Sequence, residues 1–315
     1  MTATVTRPSD TRATFVSPPV RARHVAASRM PAALMRTTVD VEVVIPSYNE
    51  EGRLPATLAA ITAELAALDL TTRVVVVDNA SSDRTAEIVD RYSDTTADGP
   101  EVVVIGCATR GKGAAVRRGM LTSTARVVGF VDADLSVPAT ALPMAIASVL
   151  SGDDVVIASR RAPGASYAVK QPRFRRIGSW GFRSAIASLV PGVTDSQCGF
   201  KFFSLAAARD VFNDMDVVGF AFDVEMLMRA RRSDYTTVEL PVSWTDDTAS
   251  TLGLASHAPE IARDILRLHR IDSALERRSR FAPRRGEPAG VEDTFAAMRA
   301  ERANRATAER LLGVA

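Results

Sequence analysis

The sequence predicts an α/β fold, with a mostly parallel central sheet and helices on both of its faces. Three consecutive segments have the pattern strand, loop, helix, and each strand is a nearly unbroken run of apolar residues. Such runs are typical of parallel strands buried on both faces, and repeated units of this kind predict a doubly wound domain. A fourth apolar strand ends at two acids, Asp132 and Asp134. Open α/β sheets bind ligands at this edge, so the acids mark the expected site.

The four strand-bearing segments follow one another at residues 41–54, 73–92, 101–120 and 127–136. After the first strand, apolar residues at helical spacing predict a helix whose buried face contains Leu58, Ile61, Leu65 and Leu68. The loops that follow the first three strands carry charged residues, namely Glu50, Asp78 and Lys112. Residues 139–150 are apolar and fit a buried helix after the fourth strand. We therefore expect these charged side chains to meet at one edge of the sheet.

The acid pair itself has two interpretations. Carboxylate oxygens suit Mg²⁺ or Mn²⁺, and Mg²⁺ is typically held by one or two carboxylates together with substrate phosphates. Asp132 and Asp134 are equally compatible with loop acids that cap the next helix.

Composition fits one domain between two tails. The chain has 315 residues, of which 46% are hydrophobic, and a net charge of +2, which implies no nucleic-acid partner. Residues 1–38 contain six arginines and one acid and predict a disordered basic arm. Residues 39–272 form the predicted folded domain that contains these strand-bearing segments. Residues 273–315 form an Arg/Ala-rich tail that is expected to be partly helical or disordered.

The basic N-terminal residues lack an apolar segment, so the sequence predicts no signal peptide, and no run reaches the roughly 18–20 apolar residues that cross a bilayer. Cys107 and Cys198 are far apart in sequence and suggest no disulfide framework, which favours a cytoplasmic setting. Residues 160–183 combine six arginines and one lysine with aromatic residues and no acid, which favours contact with an anionic acceptor or peripheral contact with an anionic membrane face. The amphipathic helix predicted at residues 258–271 fits either membrane contact or core packing.

Four motifs in order carry a family resemblance: DADLS at 132–136, DSQCGFKFF at 195–203, FAFDVEML at 220–227 and VELPVSWTD at 238–246. Over about residues 40–270 the chain resembles dolichyl-phosphate β-glucosyltransferases and bacterial polyprenyl-phosphate glycosyltransferases of inverting family 2. The resemblance implies a GT-A, Rossmann-like fold that binds a nucleotide sugar. It also implies metal-dependent transfer of a hexose, glucose from UDP-glucose, to a polyprenyl or dolichyl phosphate.

On the donor side, the resemblance implies that Asp134 ligates Mg²⁺ or Mn²⁺ and that Asp132 holds the ribose or a metal-bound water. The nucleotide-binding candidates that match the family are Pro46, Tyr48, Asn49, Glu50, Asp78, Gly111, Lys112 and Asp132. Asp78 is also a candidate cap for the helix that follows it. Relatives often carry asparagine before the Gly-Lys-Gly motif, whereas Thr109 and Arg110 stand there in this chain.

On the acceptor side, a phosphate is already ionised and needs no general base, but two anions must be held together. Arginine suits this task because it binds phosphate in a bidentate manner. The acceptor-phosphate candidates are Arg160, Arg173, Arg175 and Arg176. The candidate catalytic residues are Asp132, Asp134, Arg160, Asp195, Gln197 and Glu225, among which the resemblance places Asp195 and Gln197 beside the sugar.

Several alternatives stay open at this point. Arg160 could form a structural salt bridge with Asp153 or Asp154, and Trp244 could pack over the site or belong to the core. Asp223 and Glu225 could lie near the acceptor or simply favour a helix N-terminus. A soluble hydroxyl acceptor would need one of these two acids as its base. From another class, the chain could be an inactive regulator that binds nucleotide sugars.

Overall fold

The structure is a computed structural model that describes the backbone of residues 39–95, 99–167, 181–244 and 254–279. The predicted arm at 1–38 and residues 280–315 of the predicted tail lie outside the described residues. The same is true of three arginines predicted to bind the acceptor phosphate, Arg173, Arg175 and Arg176.

The predicted mostly parallel sheet is confirmed. Its seven strands are β1 (Val41–Ser47), β2 (Thr72–Asp78), β3 (Glu101–Gly106), β4 (Val127–Val131), β5 (Val155–Ser159), β7 (Phe200–Ser204) and β8 (Thr237–Pro241). Their order is β3-β2-β1-β4-β7-β5-β8, and β7 alone among them runs antiparallel to its neighbours. Two short strands, β6 (Ser166–Tyr167) and β9 (Ser243–Trp244), pair in parallel beside this sheet.

Helices cover both faces of the sheet, as the apolar strands predict. They are α1 (Leu54–Ala66), α2 (Thr85–Thr95), α3 (Lys112–Thr122), α4 (Leu142–Leu150), α5 (residues 181–186), α6 (Leu205–Asn213), α7 (Phe222–Arg232) and α8 (Leu254–Ser279). One hydrophobic core contains residues of α1, α2 and α4, and a second core contains residues of α3, α6, α7 and α8. The sheet therefore separates two apolar layers, which is why its strands have so few polar positions.

Two predicted helices need adjustment. The first was expected to include Leu68 but ends at Ala66, and the amide of Leu68 closes a turn on the carbonyl of Leu65 at 3.1 Å. The helix predicted at 258–271 lies within α8, where Ile265 and Leu268 are buried in the core. This supports core packing for α8. No helix among the described residues is both long and apolar enough to cross a membrane.

The reversal of β7 determines which residues reach the substrate edge. The parallel strands β4 and β5 end there, whereas the antiparallel β7 begins there. The loop before β7 is consequently placed beside the acids that follow β4, and the amide of Asp132 donates to the carbonyl oxygen of Gly199 at 2.8 Å. Segments distant in sequence thus form one site.

Candidate active site

A cleft of about 140 Å³ opens at this edge of the sheet. It brings together the end of β4 and the residues after it, the residue after β5, the loop that precedes β7 and the end of β9. Its lining residues are Val131, Asp132, Asp134, Ser136, Val137, Arg160, Gln197, Cys198, Gly199 and Trp244. Four predicted site residues are among them: Asp132, Asp134, Arg160 and Gln197. Trp244 lines the cleft as well and is buried in the core. The arrangement places two acids, one guanidinium and one amide around a single small volume.

Asp132 forms an ion pair with Lys112 at the start of α3. The Lys112 Nζ lies 2.6 Å from Oδ1 and 2.7 Å from Oδ2 of Asp132. Burial opposes the charge of the ammonium group, but Asp132 and then Asp223 more than offset this effect and raise the pKa of Lys112. Gly199 makes room for the pair, because a Cβ at this position would lie 1.9 Å from Oδ2 of Asp132. A fixed positive charge therefore stands beside the acids.

Asp134 is available to a cation. One carboxylate oxygen accepts a hydrogen bond from the amide of Ser136 at 3.0 Å, and no lysine or arginine of the described segments pairs with this residue. The described residues contain no cluster of three or more potential metal ligands. Two carboxylates nevertheless fit Mg²⁺ or Mn²⁺, because such an ion takes its remaining ligands from substrate phosphates and water. The residues present are therefore compatible with a metal held jointly by the protein and a diphosphate.

Arg160, which follows β5, is held by Asp195. The guanidinium donates from Nε to Oδ2 at 2.7 Å and from Nη2 to Oδ1 at 2.8 Å, while the Arg160 amide also donates to Oδ2 at 3.0 Å. The guanidinium also lies 5.2 Å from the ring centroid of Trp244, within cation–π range. Burial would raise the pKa of Asp195, but the hydrogen bonds and charge of Arg160 bring it below the ordinary range. Arg160 is thus oriented before any substrate binds.

The suggested salt bridges of Arg160 with Asp153 and Asp154 are therefore wrong. Asp153 accepts from the hydroxyl of Ser148 at 2.6 Å, and Asp154 accepts from the amide of Thr236 at 3.0 Å. These aspartates close turns at the start of β5, at the opposite end of the strand from Arg160.

Gln197 presents an unused donor to the cleft. Its Nε2 is buried and has no hydrogen-bond partner within the described part of the chain. Because a buried amide without a partner carries a desolvation cost, a hydroxyl bound in the cleft would satisfy it. This supports the predicted place of Gln197 beside a sugar.

The loops after β1 and β2 form a second group of predicted residues. The side chain of Asn49 accepts from the amide of Ser82 at 2.8 Å, and the amide of Asn49 donates to Ser81 Oγ at 3.0 Å. Tyr48 beside it is 56% exposed, so its ring is available for contact. Pro46 lies within β1 and pairs in register with Val77. Asn49 accordingly fixes this loop, leaving Tyr48 as its accessible side chain.

Glu50 and Asp78 lie at the same edge. Glu50 accepts from Arg53 Nε at 2.8 Å, and burial, together with the nearby Asp134 and Asp132, raises its pKa. Asp78 accepts from the amide of Ser81 at 3.3 Å. The turn before α2 is held more tightly by Asp83, which accepts from the amide of Thr85 at 3.0 Å. Asp78 is therefore not the principal capping residue of this turn.

The backbone conformation at Gly111 favours glycine. Its φ angle is +124°, and a Cβ would lie 2.3 Å from the carbonyl oxygen of Val218. Its amide donates to Asn79 Oδ1 at 2.8 Å, which ties the loop before α3 to the end of β2. Lys112 is positioned by this contact.

Comparison with known proteins identifies the family of this chain. The family model described as Glycosyl transferase family 2 matches residues 42–212, more than half of the chain. The chain belongs to glycosyl transferase family 2. Its mostly parallel seven-stranded sheet with helices on both faces is the GT-A-like fold expected from the resemblance, so the predicted fold is confirmed.

Curated relatives of this family 2 glycosyltransferase cover most of its length. The dolichyl-phosphate β-glucosyltransferase of Dictyostelium discoideum is 30% identical over 239 residues, 72% of this chain and 73% of that protein. The enzyme of the same name from Drosophila melanogaster is 33% identical and covers 68% of this chain and 70% of its own. The one from Homo sapiens is 30% identical and covers 71% of this chain and 72% of its own.

Solved structures share the fold at lower identity. Glucosyl-3-phosphoglycerate synthase of Mycobacterium tuberculosis in complex with UDP superposes with a TM-score of 0.56 and 17% identity, over 75% of this chain and 82% of that one. The complex of that protein with Mn²⁺ and UDP-glucose gives a TM-score of 0.55 and 16% identity, over 76% and 80%. These structures show the shared fold, and the family match with the curated relatives makes the chain a glycosyltransferase.

Sequence reasoning missed two side-chain contacts in this family 2 glycosyltransferase. Lys201 is fully buried, and its Nζ donates to Asp223 Oδ1 at 2.5 Å and to the carbonyl oxygen of Cys198 at 2.6 Å. Glu239 on β8 accepts from the amides of Thr194 at 2.5 Å and Asp195 at 3.3 Å. Both contacts hold the loop before β7. The DSQCGFK and VELP motifs contain these residues, but their pairing depends on tertiary structure.

Glu225 is not brought to the cleft. Its carboxylate is fully buried and accepts from the amides of Asp216 at 3.1 Å and Val217 at 2.6 Å, and from Arg229 Nε at 2.9 Å. Asp223 is likewise engaged, by Lys201. The acids in the first turn of α7 therefore support the structure of the helix, which agrees with the alternative that they favour its N-terminus.

Proposed function

We propose that this glycosyltransferase moves glucose from UDP-glucose to a polyprenyl phosphate with inversion at the anomeric carbon. The observation that supports it best is the cleft in which Asp132 and Asp134 face Arg160 and Gln197. Acids for a metal-bound diphosphate and an arginine for a second phosphate are the groups that this reaction requires. The names of the curated relatives support the choice of glucose and of a lipid phosphate.

The donor would lie across the ends of β1 to β4. Tyr48 and Asp78 are suited to the nucleoside, because one offers an exposed ring and the other offers carboxylate oxygens to ribose or base. Lys112 would approach the diphosphate as a fixed charge. A sugar hydroxyl would accept the hydrogen bond that the buried Nε2 of Gln197 can donate. Asp195 would act by fixing Arg160.

A divalent ion held by Asp134, with help from Asp132, would neutralise charge on the departing diphosphate. Lys112 would add to the same effect, because its ammonium lies 2.6 and 2.7 Å from the two carboxylate oxygens of Asp132. The bond from the glucose anomeric carbon to the diphosphate oxygen breaks, and UDP leaves with the electron pair. An oxygen of the lipid phosphate forms the new bond from the opposite face, which gives the β-linked product.

The engagement of the acids on α7 supports a phosphate rather than a hydroxyl acceptor. A hydroxyl would need a general base, and both candidate acids, Asp223 and Glu225, are buried in other contacts. A phosphate monoester is already ionised near neutral pH and needs no such base. Its charge calls for arginine instead. Arg160 and the predicted Arg173, Arg175 and Arg176 belong to this proposal, together with peripheral contact at the cytoplasmic membrane face.

The test is transfer of labelled glucose from UDP-glucose to a short polyprenyl phosphate in the presence of Mg²⁺, followed by organic extraction. We expect lipid-linked label that is lost on adding a chelator and lost in Asp134→Asn. The matched control is Asp90→Asn, because Asp90 is exposed on α2, away from the cleft. Wild-type protein that binds UDP-glucose yet labels no polyprenyl phosphate would overturn the acceptor, and activity that survives in Asp134→Asn would overturn the metal site.

A further inference from the structure

A second, larger cleft adjoins the proposed donor site. Its volume is about 430 Å³, within the range of small-ligand pockets. Its lining residues are Arg161, Arg183, Ile186, Ala187, Val190, Gly192, Val193, Thr194 and Ser196. The wall is mostly apolar, and two arginines are its only charged lining residues within the described part of the chain. Resting on the proposed function, we propose that this cleft binds the lipid phosphate, with Arg183 and Arg161 on the phosphate and the apolar wall on the first isoprene units.

Arg183 carries the first step of this inference. Its Nη1 is buried and has no hydrogen-bond partner among the residues that the structure describes. A buried charged donor without a partner is costly, and the cost is removed when an anion accepts from it. The described residues that line the cleft include no Asp or Glu that could serve. A phosphate entering the cleft would supply the missing acceptor.

The apolar wall carries the second step. Ile186 and Val190 are 3% exposed and contribute to the core behind the cleft, and Val193 packs against the same core. Ala187 and Gly192 are small, so the wall between the apolar side chains stays open. The apolar surface that remains open is that of Ala187, which is exposed, and of the partly buried Val193. A free phosphate would leave this surface in water, whereas a prenyl chain would cover it and gain about 25 cal/mol per Å². The wall thus favours a lipid over a free phosphate.

The position of the cleft carries the third step. Thr194 and Ser196 flank Asp195 in sequence, and Arg161 follows Arg160, so the second cleft is lined by the chain neighbours of the Arg160–Asp195 pair. Ser159 holds the two segments together, because its hydroxyl lies 3.1 Å from Thr194 Oγ1 and accepts from the amide of Arg161 at 3.2 Å. A phosphate bound here would therefore lie next to the Arg160–Asp195 pair, whose guanidinium lines the donor cleft.

The experiment compares Arg183→Met with the wild-type protein. Methionine keeps the length of the side chain but removes its charge and its donors. Arg209→Met is the matched control, because Arg209 is exposed on α6. Initial rates are measured against the concentrations of polyprenyl phosphate and of UDP-glucose. We expect the KM for the lipid to rise at least about tenfold in Arg183→Met, with the KM for UDP-glucose unchanged.

A second variant tests the wall. Ala187→Trp fills the cleft from an exposed position and should raise the KM for long polyprenyl phosphates about tenfold. The affinity of this variant for UDP-glucose, measured by calorimetry, should be unchanged, which excludes misfolding as the cause of the higher KM for the lipid. If both variants keep the wild-type KM for the lipid while the enzyme transfers glucose to it, the second cleft is not the acceptor site and the proposed function still stands.

Direct binding measurements distinguish failure of the second cleft as the acceptor site from failure of the proposed reaction. Farnesyl phosphate and inorganic phosphate are titrated into each variant in the absence of donor. Farnesyl phosphate should bind the wild type and Arg209→Met but bind Arg183→Met and Ala187→Trp at least about tenfold more weakly. Equal affinity of the cleft for inorganic phosphate would overturn the lipid as its ligand. If the wild type transfers glucose to no polyprenyl phosphate but farnesyl phosphate binding follows this pattern, the cleft stands and the proposed reaction fails.

Discussion

Arg160 and Asp195 form a forked ion pair in which Nε–Oδ2 is 2.7 Å and Nη2–Oδ1 is 2.8 Å. The pair joins the end of β5 to the loop before β7. Arg160 lines the small acidic cleft, and the adjacent Arg161 lines the larger cleft. The guanidinium of Arg160 also lies within cation–π distance of the ring of Trp244. Arg160 is therefore a fixed element where the two clefts adjoin.

Replacing Arg160 by lysine tests how much the bidentate ion pair with Asp195 contributes to activity. Lysine keeps the charge but cannot donate two parallel hydrogen bonds or stack as a plane on Trp244. We expect Arg160→Lys to lower kcat/KM about ten- to a hundredfold in steady-state assays. Arg126→Lys is the matched control, because Arg126 pairs with Asp40 at the other end of the sheet at 3.1 Å. Equal losses in both variants would mean that the fork has no special role.

Gly199→Ala tests the fit of Asp132. The new Cβ would lie 1.9 Å from Oδ2 of Asp132, so the carboxylate must leave its place beside Lys112. We expect UDP binding by calorimetry to weaken at least about tenfold while the circular dichroism spectrum is kept. Gly106→Ala is the control, since a Cβ there meets nothing within 4 Å. Wild-type affinity in Gly199→Ala would show that Asp132 is not needed in this position.

Lys201→Met tests the buried ion pair with Asp223. Removing one partner leaves the other charge buried without compensation, which typically costs about 3–5 kcal/mol. We expect that loss in the free energy of unfolding, measured with urea. The double variant Lys201→Met/Asp223→Leu should recover much of it, because an apolar pair needs no compensation. A single variant as stable as the wild type would contradict the observed pairing.

Glu225→Gln separates a structural role from a catalytic one. The carboxylate accepts from two backbone amides and from Arg229, so losing its charge should lower the free energy of unfolding by about 1–3 kcal/mol. The pH dependence of kcat below the melting temperature should stay unchanged. A shift of the pH profile in Glu225→Gln would restore this residue as the base of a hydroxyl acceptor.

The thiol of Cys198 should resist alkylation. Burial raises its pKa to about 12, so at pH 8 only about one thiol in 10⁴ is ionised. Because the thiolate is the reactive form and increases with pH, labelling of the native protein should be negligible at pH 8. It should become rapid only after unfolding. Mass spectrometry after a pulse of iodoacetamide measures both states, and rapid native labelling would show that the cleft exposes this residue.

The sequence predicts the sheet, its helices and the cluster of acids because these depend on local patterns. Runs of valine specify buried parallel strands, and Asp132 follows the fourth strand directly. The apolar spacing predicts that the first helix includes Leu68, but the helix ends at Ala66, because Leu68 keeps the helical spacing although it lies in the turn that follows. Element boundaries depend on single hydrogen bonds, which periodicity does not reveal.

The pairing of side chains could not be predicted in the same way. Asp153 and Asp154 are nearer to Arg160 in sequence than Asp195 is, yet Asp195 holds the guanidinium. The reason is the reversal of β7, which brings the loop before it to the end of β5. Lys201 finds Asp223 through the same topology. Partners that meet across an antiparallel strand leave no spacing signal in the sequence.

This reversed strand also shapes how such a protein can diversify. The acids and the lysine of the proposed donor site follow β1 to β4, whereas the residues of the second cleft follow β5 or lie in α5 and the loop before β7. Gln197 and Gly199 of that loop also line the acidic cleft. A substitution in this one loop can therefore alter both clefts, whereas a substitution at Arg161 or on α5 changes the lining of the second cleft alone.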